Sequence, residues 1–316
     1  MRTRHIQSSS DSVPATHEHQ SVLLHEAIEG LTIKGDDTVV DATLGGAGHT
    51  RRIVELLGAE GTCIGFDLDA DAISRAEMSL KGATAQTHFI RANFRDIERE
   101  LAARGIEGVD KTLFDLGWSA FQLSAGRGFS FLKDEPLLMT YGKEQSEGTL
   151  NAATIVNSWG EESIADIIYG WGEERYSRRI ARAIVERRKE KPFILATDLA
   201  ETIKASVPSV YRNGRLHPAT RTFQALRIAV NDELGAVREG VRSVWKLLRP
   251  GGRIAVITFH SIEDRLVKEL FLEIERNEGG KRITRTPIKP SDEELTKNPR
   301  SRSAKLRIIQ KLEKQL

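Results

Sequence analysis

Over the first 120 residues the hydrophobic pattern alternates between two periods. The short apolar runs "TVVDATL" (38–44), "GTCIGFDLD" (61–69), "THFIRANF" (87–94) and "VDKTLFDLG" (109–117) predict buried strands. Between them, "HTRRIVELLG", "DADAISRAEMSL" and "RDIERELAARG" carry the wider spacing of amphipathic helices. Gly58 and Gly105 are placed to end two of these helices, and Asp69 or Asp71 to cap the third. Strands separated by helices of this length predict βαβ units and a parallel sheet.

The alternation stops at Gly126. From there to Leu216 the chain reads as turns followed by helices, among them "EESIADIIYGWG", "ERYSRRIARAIVERRKE" and "ATDLAETIKASV". After His217, "TRTFQALRIAVNDELGAVREGVRSVWKLL" predicts a long amphipathic helix that bends or breaks near Gly235. "RPGGRIAVITFH" supplies a fifth strand, and "KRITRTPI" and "SAKLRIIQKL" two short ones. The economical parse is an α/β domain in two pieces, residues 21–125 and 217–316. A helical insertion, residues 126–216, is expected to recognise substrate, and residues 1–20 are expected to be a flexible tail.

Composition narrows the class without choosing a chemistry. The 39% hydrophobic and 29% charged content is ordinary for a globular protein. No apolar run approaches the ~20 residues of a membrane helix, and the N-terminus lacks a signal-peptide core. The single cysteine, Cys63, reads as a small strand residue and suits a reducing cytoplasm. The net charge of +2 hides a basic C-terminal segment, with 11 Lys and Arg against 4 Asp and Glu over residues 281–316. Such a segment fits nucleic-acid contact.

The candidate chemistry falls at the carboxyl ends of the predicted strands, where open sheets bind ligands. Gly45, Gly46 and Gly48, with Ala47 between them, form a tight strand-to-helix turn able to bring amides against a ligand. Asp41 ahead of them would attract an ammonium or sulfonium and repel a pyrophosphate. The loop lacks both the G-x-G-x-x-G spacing of a dinucleotide site and the G-K-[ST] of a P-loop. Asp67, 19 residues after Gly48, can accept hydrogen bonds from ribose hydroxyls. Together these favour S-adenosylmethionine over NAD.

Phe94 can lie against an adenine or fill the core. Asp115-Leu116-Gly117-Trp118 keeps the acid and aromatic of an exocyclic-amine methyltransferase motif without its prolines. Asp115 suits an amine hydrogen, and Trp118 suits stacking on a base. His260 is a further candidate to face substrate. The serine after it reads as a capping box with Asp264 and not as a nucleophile. Arg175, Arg178, Arg179 and Arg182 fall on one helical face able to track phosphates, or to pair with Glu173, Glu174 and Glu186. No metal site is expected, since His49 and His217 are far apart and cysteine ligands are missing.

With these residues in view, the chain resembles the bacterial 16S rRNA (cytosine-N4)-methyltransferases, the RsmH (MraW) family. The resemblance runs from about His19 to the C-terminus. It is densest in "HQSVLLHEAIEGL", "VDATLGGAGHT", "LFDLGWSAFQLSAGRGFSF", "YGWGEERYSRRIARAIVERR", "HPATRTFQALRIAVNDEL", "LRPGGRIAVITFHSIEDRLVK" and "NPRSRSAKLRI". It implies a class I S-adenosylmethionine-dependent methyltransferase fold, Rossmann-like with a mostly parallel sheet and a helical insertion after the fourth strand. It also implies a cytidine of the decoding region of 16S rRNA as target, with the small ribosomal subunit as partner and no membrane. A homodimer is left open.

Cofactor contacts carried over by motif fall on Ala47, Gly48, His49, Asp67, Phe94, Asp115 and Gln122; His49 and Gln122 come from the resemblance only. Ala47 stands where the family has glycine, which a backbone with φ < 0 would tolerate. In "DEPLLMTYG" the family's Asp, Arg and Asp become Leu138, Thr140 and Gly142. That editing motivates one alternative, an RNA-binding or ribosome-assembly factor with weak or lost catalysis; an NAD-dependent oxidoreductase is disfavoured by Asp41 and the glycine spacing.

Overall fold

The computed structural model describes residues 20–116, 126–142 and 148–313. Its first half runs α1 (Leu24–Leu31), β1 (Thr38–Asp41), α2 (Gly48–Leu56), β2 (Thr62–Asp67), α3 (Ala70–Ser79), β3 (Gln86–Arg91), α4 (Ile97–Ala102) and β4 (Val109–Asp115). A helical block follows: α5 (Ala152–Ser158), α6 (Glu161–Gly172), α7 (Ser177–Arg187), α8 (Ala196–Ser206), α9 (Ser209–Arg212) and α10 (Thr220–Asn231). The chain returns through α11 (Glu233–Leu247), β5 (Leu248–Thr258), α12 (Ser261–Asn277), β6 (Gly280–Arg282), α13 (Asp292–Lys297) and β7 (Lys305–Lys311).

Seven strands form one sheet in the order β3-β2-β1-β4-β5-β7-β6. The first five are parallel, and β7 is antiparallel to both its neighbours. Because side chains alternate across a strand, adjacent residues feed opposite layers. Val40, Ile64, Phe114 and Val256 pack into the core shared with α11 and α12, while Val39, Cys63, Leu113 and Ile257 pack into the one shared with α1 and α2. Strands buried on both faces are what continuous apolar runs predict. Cys63 is fully buried, and burial pushes its thiol up. The strand order reverses between β1 and β4, which opens the crevice used by ligands in such sheets.

The helices between β4 and β5 have a core of their own, including Phe129, Leu137, Ile155, Ile168, Ile180, Leu199, Phe223 and Leu226. The last two belong to α10, so by packing that helix sides with the helical block. The long helix expected after His217 breaks at Asp232 (φ 46°), three residues before the glycine that suggested a bend. Aspartate tolerates the left-handed region better than most residues. Gly235 is small for a different reason: a Cβ there would lie 2.5 Å from both carboxylate oxygens of Asp232.

Candidate active site

The turn between β1 and α2 is built as its small residues suggest, with Gly45 at φ 48° and the Ala47 amide donating 2.7 Å to the Leu44 carbonyl. Gly48 packs closely on Ser21, whose Oγ would lie 2.0 Å from a Cβ there and would have to turn away. Ala47 corrects an expectation. Its φ is +58°, so this chain places a methyl-bearing residue where left-handed backbone favours glycine. The methyl is buried against Leu44 and Ala76.

Asp67 ends β2 and ties the loops after β1 and β2 together. Its carboxylate accepts the Gly45 amide and the Asp69 amide, each at 2.8 Å, and Asp69 in turn caps α3. Burial pushes Asp67 up despite these bonds, and Asp69 and Asp41 add to the rise. Asp41 plays a different part from the one its position suggested. It is 1% exposed and lies beneath the cavity, accepting from Thr50 Oγ1 at 2.6 Å and the Thr43 amide at 3.1 Å. Burial raises its pKa as well, opposed by Thr50, His49 and the Thr43 amide. It fixes the loop and reaches a ligand only through its field. Neither carboxylate has a lysine or arginine ion-pair partner among the described residues.

Phe94 follows β3 at the edge of the cavity, its ring 5.6 Å from Phe114 in an edge-to-face pair. Gly240 of α11 permits this, because a Cβ there would come within 2.8 Å of the Phe94 ring. Asp115 ends β4, its amide donating to Thr43 Oγ1 at 2.6 Å. His49, in the first turn of α2, sits with Nδ1 3.5 Å from Asp115 Oδ2 and Nε2 3.1 Å from the Val22 carbonyl. Trp118 and Gln122 lie outside the described residues.

His260 lines the same cavity, but its nitrogens are engaged. Nδ1 accepts the Glu263 amide at 3.3 Å and Nε2 lies 2.9 Å from Glu263 Oε1. The capping box of α12 is therefore His260 with Glu263, one residue ahead of the expected Ser261 with Asp264. Glu263 belongs to a buried network that sequence reasoning missed. Arg227 grips Glu233 through Nε and Nη2, each at 2.7 Å, and Nη2 lies 3.5 Å from His260. Tyr141 donates its hydroxyl to Glu233 at 2.7 Å and its amide to Asn231 at 2.9 Å. Burial pushes the Tyr141 phenol well up. Burial also works against the Arg227 charge, but Glu233 and its neighbours outweigh that and raise its pKa.

Glu233, His260 and Glu263 each bring a ligand atom within 4.8 Å of one another, a spacing suited to a metal. Arg227 already supplies positive charge at that place.

The arginine face expected on the insertion is only partly available. Arg175 precedes α7 and lies over the rings of Tyr176 and Tyr211, 4.9 and 5.1 Å from their centroids, and Arg182 lies 3.4 Å from Glu161. No pairing of these arginines with Glu173, Glu174 or Glu186 is found among the described residues. Glu173 bonds Ser261 and Arg265 instead, and Glu174 accepts the Tyr176 amide. Basic residues reach the cavity from another side, where Lys297 and Arg300 of the C-terminal segment stand at its rim.

These groups surround one cavity of about 960 Å³. Asp67 for a ribose, Phe94 for a flat ring, and Asp41 and Asp67 with no lysine or arginine partner among the described residues fit S-adenosylmethionine, whose sulfonium would supply a countercharge. The opposite wall comes from Phe131, Met139, Tyr141, Phe223 and Arg227 of the helical block.

The sequence profile of the MraW methylase family matches residues 16–312. A ribosomal RNA small subunit methyltransferase H from Paenibacillus sp. (strain JDR-2) is 45% identical over 93% of this chain and 99% of its own length. The protein of that description from Clostridioides difficile (strain 630) is 42% identical over 93% and 99%, and that from Brevibacillus brevis 44% over 93% and 98%. The profile spans nearly the whole chain, strand-end site included, and the chain belongs to the MraW methylase family.

Proposed function

We propose that this chain methylates the N4 amine of a cytidine in 16S rRNA of the small ribosomal subunit, using S-adenosylmethionine. The observation that carries the reading is the position of Asp115. It ends β4 in the same cavity as Asp67 and Phe94, facing a wall contributed by the helical block. When bound, the donor supplies an electrophilic methyl on sulfur. Asp67 would hold its ribose and Phe94 its adenine, and the Gly45–Gly48 turn would pack along it. Asp115 accepts a hydrogen of the amine and so aims the nitrogen lone pair at the methyl. Attack on nitrogen requires no thiol nucleophile, in keeping with the buried position of Cys63.

Residues 126–216 are assigned to RNA recognition. Trp118 is assigned to stacking on the target base and Gln122 to the donor. His260 is assigned to holding Glu263 and Arg227 at the acceptor wall. The setting is the cytoplasm, where the small subunit is made; no helix among the described residues is long and apolar enough to cross a membrane. The assembly-factor alternative is not favoured, because the curated relatives are named as methyltransferases.

Mass spectrometry of small-subunit rRNA from cells with and without the gene tests the target. Purified Asp115→Ala should lose methylation by at least about 100-fold while still binding donor. An Asp115→Ala rate equal to wild type would sink the assignment.

A further inference from the structure

His49 comes to this site as a cofactor residue by motif, yet its ring makes two contacts that point to another role. Nε2 faces the Val22 carbonyl at 3.1 Å. A carbonyl only accepts, so Nε2 carries the hydrogen and the tautomer is fixed. That carbonyl is itself held in place: the Leu23 amide donates to Glu294 Oε1 at 2.8 Å, and Asn298 Nδ2 donates to the Gln20 carbonyl at 3.2 Å. The C-terminal segment thus holds residues 20–23 over α2, with Ser21 packed closely on Gly48. Nδ1 is left facing Asp115 Oδ2 at 3.5 Å, with His49 5% exposed. A lone pair against a carboxylate is repulsive, and a proton between them turns the contact into an ion pair.

We propose that His49 is a positioning residue and proton relay that acts through Asp115: it takes up, by way of that carboxylate, the proton the amine loses on methylation. This rests on the amine-methyltransferase reading above. The balance is as follows. The N4 lone pair forms the new N–C bond, the S–C bond breaks with its electrons staying on sulfur as a thioether, and N4 is left positive with one hydrogen too many. That hydrogen passes as H⁺ to Asp115 and on to His49 Nδ1, which becomes an imidazolium still donating from Nε2 to Val22. Deprotonation to solvent restores the neutral ring.

Among the described residues, the charged groups around His49 include Asp41 of β1, which acts on it through space, and Asp115 of β4. Asp67 of β2 and Lys297 and Arg300 of the C-terminal rim line the same cavity. The relay is competent only when Nδ1 is free to take the proton, so the rate rises with pH.

Two measurements on the full chain test this. Nitrogen-15 NMR of the His49 ring should show Nε2 protonated throughout. Its titration should move toward acid by about one pH unit in Asp115→Asn; an unmoved titration overturns the relay without any reference to activity. In His49→Gln, whose amide can still donate to Val22, turnover should fall about 100-fold and lose the wild-type inflection with pH. Donor affinity by calorimetry should stay within about threefold. A loss confined to donor affinity, or an unchanged pH profile, would also overturn it. Wild-type protein that methylates no small-subunit rRNA would bring down the functional reading and the relay with it. Methylation with an uncoupled His49 would bring down the relay alone.

Discussion

Carboxylates on the two sides of the cavity are treated in opposite ways. At the strand ends, Asp41 is buried and Asp67 half-buried among amides and a hydroxyl, and burial raises both. On α12, Glu263 and Asp264 are also opposed by burial, but cationic and hydrogen-bonding partners outweigh it and lower both. Those partners are chiefly His260 and Arg227 for Glu263, and Arg307 and Lys305 for Asp264. The difference separates a wall that is electrostatically finished from one that is not. The α12 side has its cations built in, whereas the strand-end side keeps negative groups for a cation to be supplied from outside. A sulfonium donor meets that need and a pyrophosphate does not.

The sharpest way to break the comparison is to unfinish the finished wall. Arg227→Met leaves Glu233 buried with only the Tyr141 hydroxyl among its described side-chain partners, at about 3–5 kcal/mol. Denaturant unfolding should show that loss, and Arg227→Met with Glu233→Gln should recover part of it, because glutamine still accepts from Tyr141 and carries no charge. Equal midpoints for the single variant and wild type would show that the pair is not what holds this wall.

Legibility divides along the same line. The cofactor side could be read because its residues sit at the end of each predicted strand, and a buried parallel strand announces itself by apolar run length alone. Asp67, Phe94 and Asp115 stand at or just past such strand ends, and all three line the cavity. Depth was not readable: a strand-end aspartate looks the same whether it lines the cavity, as Asp67 does, or props a loop from below, as Asp41 does. The acceptor wall draws on Tyr141, Arg227, Asn231, Glu233, His260 and Glu263, which only the tertiary fold brings together. One local signal was present, an arginine inside the apolar run "ALRIAV" of α10, where it is 4% exposed. The offset of the break, at Asp232 and not at Gly235, has a similar origin, since aspartate can enter the left-handed region without advertising it as glycine does.

A smaller effect sharpens the comparison through pH. Folding raises the Asp41 and Asp67 pKa values, so the folded chain holds more protons than the unfolded one just above the ordinary carboxylate range. Their ionisation therefore costs stability as pH rises through that window. Glu263 and Asp264 do the reverse: their contribution is present above the ordinary range and is lost as pH falls through their lowered values. On the proposed reading a cationic donor prefers the ionised strand-end groups, so its affinity should climb with pH, by up to about tenfold per unit, and level off once Asp67 is ionised. Calorimetry across the acid range checks this, and Asp67→Asn should flatten the climb. Affinity independent of pH in wild type would remove the reason for leaving these carboxylates without cations.

The smallest expected effect concerns Ala47, where opposing contributions nearly cancel. Left-handed backbone costs a residue with a Cβ about 1–2 kcal/mol, which glycine would relieve. Against this, glycine adds roughly 0.5–1 kcal/mol of chain entropy to the unfolded state. It also gives up the burial of a methyl at 2% exposure, roughly another 0.8 kcal/mol. Ala47→Gly should thus shift stability by less than about 1 kcal/mol and leave donor affinity unchanged. Thermal unfolding and donor titration on the same sample measure both. A gain well above 1 kcal/mol would mean that the Ala76 and Leu44 contacts contribute little and that the turn is held strained by its surroundings. A clear loss of donor affinity would mean that the methyl itself touches the ligand, moving Ala47 from the loop's scaffold to its binding face.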